Sequence, residues 1–325
     1  MVKLLIIATI SFIVAAVSGL FLIPFLHKLK FGQEIREEGP SWHQKKSGTP
    51  TMGGFIFMIA LLVSVVLGVF ISGIIGSPAE LTGVLAITAA AFGFGAIGFV
   101  DDYIKVILKR NLGLRAGQKF ALQFLVALVF AVWMVCGGVV NTEVKVPFVD
   151  FYIDLTYFGY IPFIVLVMLA AVNSVNLTDG LDGLAGTVTL VVALFYCIVS
   201  HKMGSTPVAL FASALIGGIV GFLIYNSNPA KVFMGDTGSL FLGGAVAAMA
   251  IYLKNPVALL IVGFVYVAEA LSVIIQVAYF KKTGKRIFKM SPIHHHFEMC
   301  GWSEKKIVAV FSLATVMLCI IGYMA

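Results

Sequence analysis

The chain has 325 residues, 60% of them hydrophobic and 11% charged, with a formal net charge of +7. A soluble domain is nearer 45–50% apolar and about 25% charged, so composition excludes one and predicts an all-α polytopic integral membrane protein. The positive charge is then a property of one membrane face, read as topology and anionic lipid headgroups, with part of it suited to attracting an anionic substrate, and no nucleic-acid partner is expected.

Charge-free stretches predict the spans, since about 20 apolar residues cross the hydrocarbon. Residues 4–27, 47–79, 81–100, 120–142, 155–178, 183–201, 203–230, 237–253 and 307–325 lack Asp, Glu, Lys and Arg, and 255–280 is interrupted only by Glu269. That makes ten transmembrane helices in a single domain, 1–325. The first run is longer than the apolar core of a signal peptide and leads into Pro24, His27 and Lys28, so it reads as a retained helix. With both termini outside, the inner loops 27–51, 101–119, 177–182, 226–236 and 281–306 hold 18 of the 22 basic residues, and the positive-inside rule selects that orientation. Cys136, Cys197, Cys300 and Cys319 are scattered without paired spacing and read as packing residues.

The first inner loop carries Lys45 and Lys46, then Ser47-Gly48-Thr49-Pro50-Thr51, ahead of a helix start. Basic groups, hydroxyls and glycines there suit either topology or anion binding. Asp101 and Asp102 close the third span after Gly93, Gly95 and Gly98, with Lys105 one turn later. Two adjacent acids at a helix C-terminus oppose the macrodipole, and stop-transfer clusters are normally basic, so this pair points to chemistry on a phosphate or metal. The outer segment 144–155 alternates β-branched and aromatic residues and predicts a small hairpin with a structural role.

Asn173, Asn176, Asp179 and Asp182 follow at spacings of three. They share a face if the helix continues and line a turn if it breaks at Gly180; either way a polar pocket is favoured over inter-helix glue. Next comes Asn226 to Ser239, containing Phe233, Gly235, Asp236 and Gly238. Asp236 suits an N-cap or a Mg²⁺ ligand, since Mg²⁺ prefers one or two carboxylates plus phosphate oxygens and water. Phe233 sits where a base could stack. His294, His295 and His296 occupy the last inner loop. Neighbouring residues on a regular element cannot all face one ion, so contact with a phosphorylated substrate is favoured over zinc.

Lys-Lys-Ser-Gly-Thr-Pro-Thr-Met-Gly-Gly, Phe-Val-Asp-Asp, Asn-Leu-Thr-Asp-Gly-Leu-Asp-Gly, Asn-Pro-Ala-Lys-Val-Phe-Met-Gly-Asp-Thr-Gly-Ser and Ser-Pro-Ile-His-His-His-Phe-Glu together span nearly the whole chain. They closely resemble the phospho-N-acetylmuramoyl-pentapeptide transferase family, the MraY translocases within the polyprenyl-phosphate N-acetylhexosamine-1-phosphate transferase superfamily. The resemblance implies transfer of phospho-MurNAc-pentapeptide from UDP-MurNAc-pentapeptide to undecaprenyl phosphate, giving lipid I and UMP. It further implies Mg²⁺, a cytoplasmic-face cleft in the bacterial plasma membrane, and a homodimer. By the same resemblance Asp101, Asp102 and Asp236 are catalytic, with Asp236 and Asp102 as metal ligands. Substrate binding falls to Lys46, Thr51, Lys105, Lys119, Asn173, Asn176, Asp179, Asp182, Asn226, Phe233 and His294 to His296. The alternatives are a GlcNAc-1-phosphate transferase, separated by which UDP-sugar yields UMP, and a transporter. The transporter is disfavoured because Glu269 is the only charge clearly inside a span. No role follows for Glu269.

Overall fold

The computed structural model describes residues 1–29, 48–70, 75–107 and 113–324. Long helices account for most of these residues, because apolar segments without water can satisfy their backbone only internally. In chain order the elements are α1 (Val2–Lys28), α2 (Gly54–Phe70), α3 (Pro78–Ile107), α4 (Ala116–Cys136), β1 (Glu143–Lys145), β2 (Tyr152–Asp154), α5 (Thr156–Thr178), α6 (Leu184–Lys202), α7 (Thr206–Asn226), α8 (Gly235–Tyr252), α9 (Leu259–Val262), α10 (Phe264–Thr283), α11 (Ile293–Met299) and α12 (Glu304–Tyr323). Eight of them (α1, α3, α4, α5, α6, α7, α10 and α12) are long and apolar enough to cross a membrane. The predicted hairpin is present: β1 and β2 pair antiparallel, with Val144 opposite Ile153, and Thr142 Oγ1 donates to Asp154 Oδ1 at its base.

Several predicted boundaries move. Among the described residues, the stretch 47–79 carries the 17-residue α2, about 26 Å at 1.5 Å per residue, and ends in the first residues of α3. Residues 255–280 do not make one helix; the chain turns at Gly263, between the short α9 and α10. Most consequentially, α3 does not stop at residue 100 but runs on through Asp101, Asp102 and Lys105. Those charges therefore stand on a rigid helix rather than in a loop.

The core is organised around α8, whose residues Thr237–Ile251 are all buried, with α3 and α5 as its principal neighbours. The α3–α8 approach depends on Gly98, where a methyl group would collide with the Asp236 carbonyl oxygen. Glycine contacts of this kind let helix backbones close together where lipid supplies no hydrophobic drive. Helix α7 packs against α1, α2 and α6, stitched to α1 by Ser11 Oγ donating to the Ala214 carbonyl and Tyr225 Oη donating to that of Ala16, both at 2.6 Å. The outer faces of α1 and α12 expose Leu5, Phe21, Leu313 and Ile320, as expected of helices that meet acyl chains rather than water.

Candidate active site

Four helix ends converge on one side of the bundle: the C-termini of α3 and α5 and the N-termini of α4 and α8. Alternating chain direction requires this, and it gathers the polar motifs that apolar spans separate in sequence. Lys105, one turn beyond Asp101, places Nζ 2.6 Å from Asp101 Oδ2 and 2.8 Å from Asp236 Oδ2. Lys119 reaches the same two oxygens from α4, at 3.5 and 2.7 Å. Asp236 Oδ1 accepts from Asn176 Nδ2 at 2.8 Å, and Asn176 also donates to Ser239 Oγ. Two carboxylates from separate helices thus share two ammonium groups. Asp101 is further fixed by the Leu114 N–H, 2.7 Å from Oδ1.

Asp102 has a different task from its neighbour. Its Oδ2 accepts from the Thr237 N–H at 2.9 Å and the Thr237 hydroxyl at 2.7 Å, and Oδ1 accepts from the Asp236 N–H at 3.2 Å. An aspartate of α3 therefore caps α8 from outside, satisfying free N–H groups and placing negative charge at the positive helix end. Asp236 lies in the first turn of α8 and is not its N-cap. Gly235 adopts φ +73°, and a side chain there would meet Asp102 Oδ2 at 2.5 Å and Thr51 Oγ1 at 2.8 Å. The backbone must be bare at this point. Thr51 is itself buried beside that turn.

The second and third motifs meet next to this cluster. Helix α5 ends at Thr178, so Asn173 and Asn176 stand on the helix while Asp179 and Asp182 lie in the turn before α6. Asp179 is the C-cap. Burial, with the charges of Asp236, Asp102 and Asp182 nearby, pushes its carboxyl well above the usual carboxylate range. Asp182 accepts from Asn228 Nδ2 at 3.1 Å and the Ala230 N–H at 3.0 Å. Asn226, buried, receives the Gly183 N–H on Oδ1 and donates Nδ2 to the Val232 carbonyl, which joins the two motifs. Phe233 is half-buried; its backbone pairs with Pro50 and Gly53 at 2.8 Å each, docking the start of α2 on the Phe233–Gly235 segment. Lys46 lies outside the described residues.

The three histidines separate. His294 is fully buried and its Nδ1 is 3.0 Å from Oε2 of Glu269, also fully buried. This gives Glu269 a partner. His295 Nδ1 lies 2.6 Å from Glu298 Oε2, and His296 Nδ1 accepts the Lys289 N–H at 3.1 Å. His294 reaches the Asp179–Asp182 turn, where a methyl group on Gly180 would collide with Nε2. Sequence reasoning missed Thr237, Ser239 and Gln123. Gln123 accepts from Asn173 at 2.9 Å, and an amide within a charge-free span was the available signal.

The cluster suits a hard cation. Its donors are carboxylate oxygens, and Asp236 keeps part of its side chain accessible. Among the described residues no group of three or more His, Cys, Asp or Glu side chains is placed to hold a metal ion, and Mg²⁺ commonly takes only one or two carboxylates.

Residues 84–254 match glycosyl transferase family 4. A phospho-N-acetylmuramoyl-pentapeptide-transferase of Alkaliphilus metalliredigens is 53% identical, covering 97% of this chain and 96% of the relative. One from Clostridium botulinum is 51% identical over 97% and 94%, and one from Clostridium kluyveri is 49% identical over the full length of both. The chain belongs to glycosyl transferase family 4 and, within it, to the phospho-N-acetylmuramoyl-pentapeptide transferases.

Proposed function

We propose that this protein transfers phospho-MurNAc-pentapeptide from UDP-MurNAc-pentapeptide to undecaprenyl phosphate, releasing UMP and forming lipid I. The observation that carries the reading is the sharing of Lys105 and Lys119 between Asp101 and Asp236. A site that must gather two phosphorylated substrates needs cations that can exchange a carboxylate partner for a phosphate oxygen.

We assign ten spans by adding α2 and α8 to the eight longer helices, with both termini outside. The excess of Lys and Arg on the inner loops supports that orientation, and it puts the converging helix ends on the cytoplasmic face. There a water-soluble nucleotide can meet a lipid whose tail stays in the bilayer. The homodimer follows from resemblance alone.

In the reaction, a phosphate oxygen of the lipid attacks the sugar-bearing phosphorus of the diphosphate. The bond to the bridging oxygen breaks, and its electron pair leaves with UMP. Asp101 orients the attacking phosphate or takes its proton; a covalent aspartyl route is the alternative. Lys105 and Lys119 neutralise charge that grows on the diphosphate oxygens. Bound Mg²⁺ would supply a further positive charge against the diphosphate. Asp236 would be the residue that holds it. Asp102, expected as a second ligand, accepts hydrogen bonds on both oxygens from the turn that carries Asp236. Phe233 and the Asn226–Asp182 network border the nucleoside side.

The test is UMP release by the purified full chain with undecaprenyl phosphate, Mg²⁺ and either UDP-MurNAc-pentapeptide or UDP-GlcNAc. UMP from the muramoyl substrate is expected; product from UDP-GlcNAc alone overturns the assignment.

A further inference from the structure

Gln123 stands on α4 one helical turn beyond Lys119 and is 1% exposed. Asn173, on α5, uses its NH₂ group twice, toward the Leu169 carbonyl at 2.8 Å and toward Gln123 Oε1 at 2.9 Å. A backbone carbonyl can only accept, so Asn173 has to direct its nitrogen there, and Gln123 in turn has to present its oxygen. That choice turns Gln123 Nε2 away, buried with no hydrogen-bond partner among the described residues. An amide with half its hydrogen-bonding capacity unused is a costly way to join two helices that apolar side chains could pack. Adhesion does not explain it.

Position does. Asn176, one turn along α5 from Asn173, donates to Asp236 Oδ1. Lys119, one turn back along α4 from Gln123, donates to Asp236 Oδ2. Polar contacts therefore link the two helices at two levels: through Asp236, and through the amide pair beneath it. We propose that Gln123 is a positioning residue for the transfer reaction, fixing through Asn173 the spacing of α4 and α5 at which Lys119 and Asn176 both reach Asp236. This rests on the function proposed above.

The experiment compares Gln123→Met, which keeps length but loses the acceptor, with Gln123→Glu, which keeps an oxygen toward Asn173. Expected for Gln123→Met is a kcat at least tenfold lower, a KM for the UDP substrate within threefold of wild type, and a higher Mg²⁺ concentration for half-maximal rate. Gln123→Glu is expected to stay within threefold of wild type in kcat. Wild-type kcat and Mg²⁺ dependence in the Met variant overturns the proposal. So does equal loss in both variants, or loss only in proportion to the unfolded fraction. If Gln123→Met gives no folded protein, Gln123→Ala is measured the same way, and failure of both to fold assigns Gln123 a structural role only.

Thermal stabilisation by Mg²⁺ with UDP is read on the same proteins without turnover. A shift present in wild type and weakened in Gln123→Met, with no UMP formed from UDP-MurNAc-pentapeptide, keeps the positioning role and removes the assigned substrate. An equal shift in both removes the positioning role.

Discussion

The acid cluster and the histidine segment start from the same sequence pattern, a run of identical titratable residues, and end differently. Asp101 and Asp102 lie on one helix about 100° apart. One meets two lysines, and the other caps a different helix. His294, His295 and His296 also diverge, but each takes a partner from its own neighbourhood or from α10. The cluster draws on four separate helices, α3, α4, α5 and α8. The histidine segment is braced mainly by itself and one buried carboxylate. Convergence from several rigid elements sets the acid cluster apart from a segment whose pairs are mostly local, even though His294 reaches the Asp179–Asp182 turn.

Substitutions can break that contrast. Asp236→Ala should have the largest effect, about 10³-fold or more in UMP release from a folded protein, because the residue joins Lys105, Lys119 and Asn176. Asp102→Asn should follow at about 10²-fold. It should also lower thermal stability in detergent, since weakening a helix cap costs roughly 0.5–2 kcal/mol. Glu269→Ala should lower activity about tenfold and stability by about 1–3 kcal/mol, by leaving buried His294 without its partner. His296→Ala should fall within threefold of wild type, because its ring engages near neighbours, the Lys289 N–H, Cys300 Sγ and the Phe288 and Phe297 rings. If His296→Ala proved as damaging as Asp236→Ala, the distinction between the two regions would fail.

What could be read in advance followed from charge contrast. An aspartate beside a long apolar run is conspicuous, so Asp101, Asp102 and Asp236 stood out before any fold was known. The same contrast misplaced the end of α3, because charge was equated with loop; in fact the helix carries its charges inward to the cluster. Gln123 escaped because an uncharged amide hardly disturbs a hydropathy pattern. The Glu269–His294 pair escaped because its partners are 25 positions apart and meet only through packing of α10 and α11. Asp102 as the cap of α8 depends on Gly98 permitting close approach, a three-dimensional fact that motif spacing does not contain. The break at Gly263 was hidden inside an apolar run whose one charge, Glu269, lies six residues further on.

The central claim is that Asp236 is the hub at which protein cations, a divalent metal and the nucleotide's diphosphate come together. The most direct test is UMP release from UDP-MurNAc-pentapeptide by wild type and Asp236→Ala, each with Mg²⁺ removed by chelation and then restored. The account predicts wild-type turnover that stops and returns with Mg²⁺, and no measurable turnover by the variant in either state. A folded Asp236→Ala protein working within threefold of wild type would contradict it.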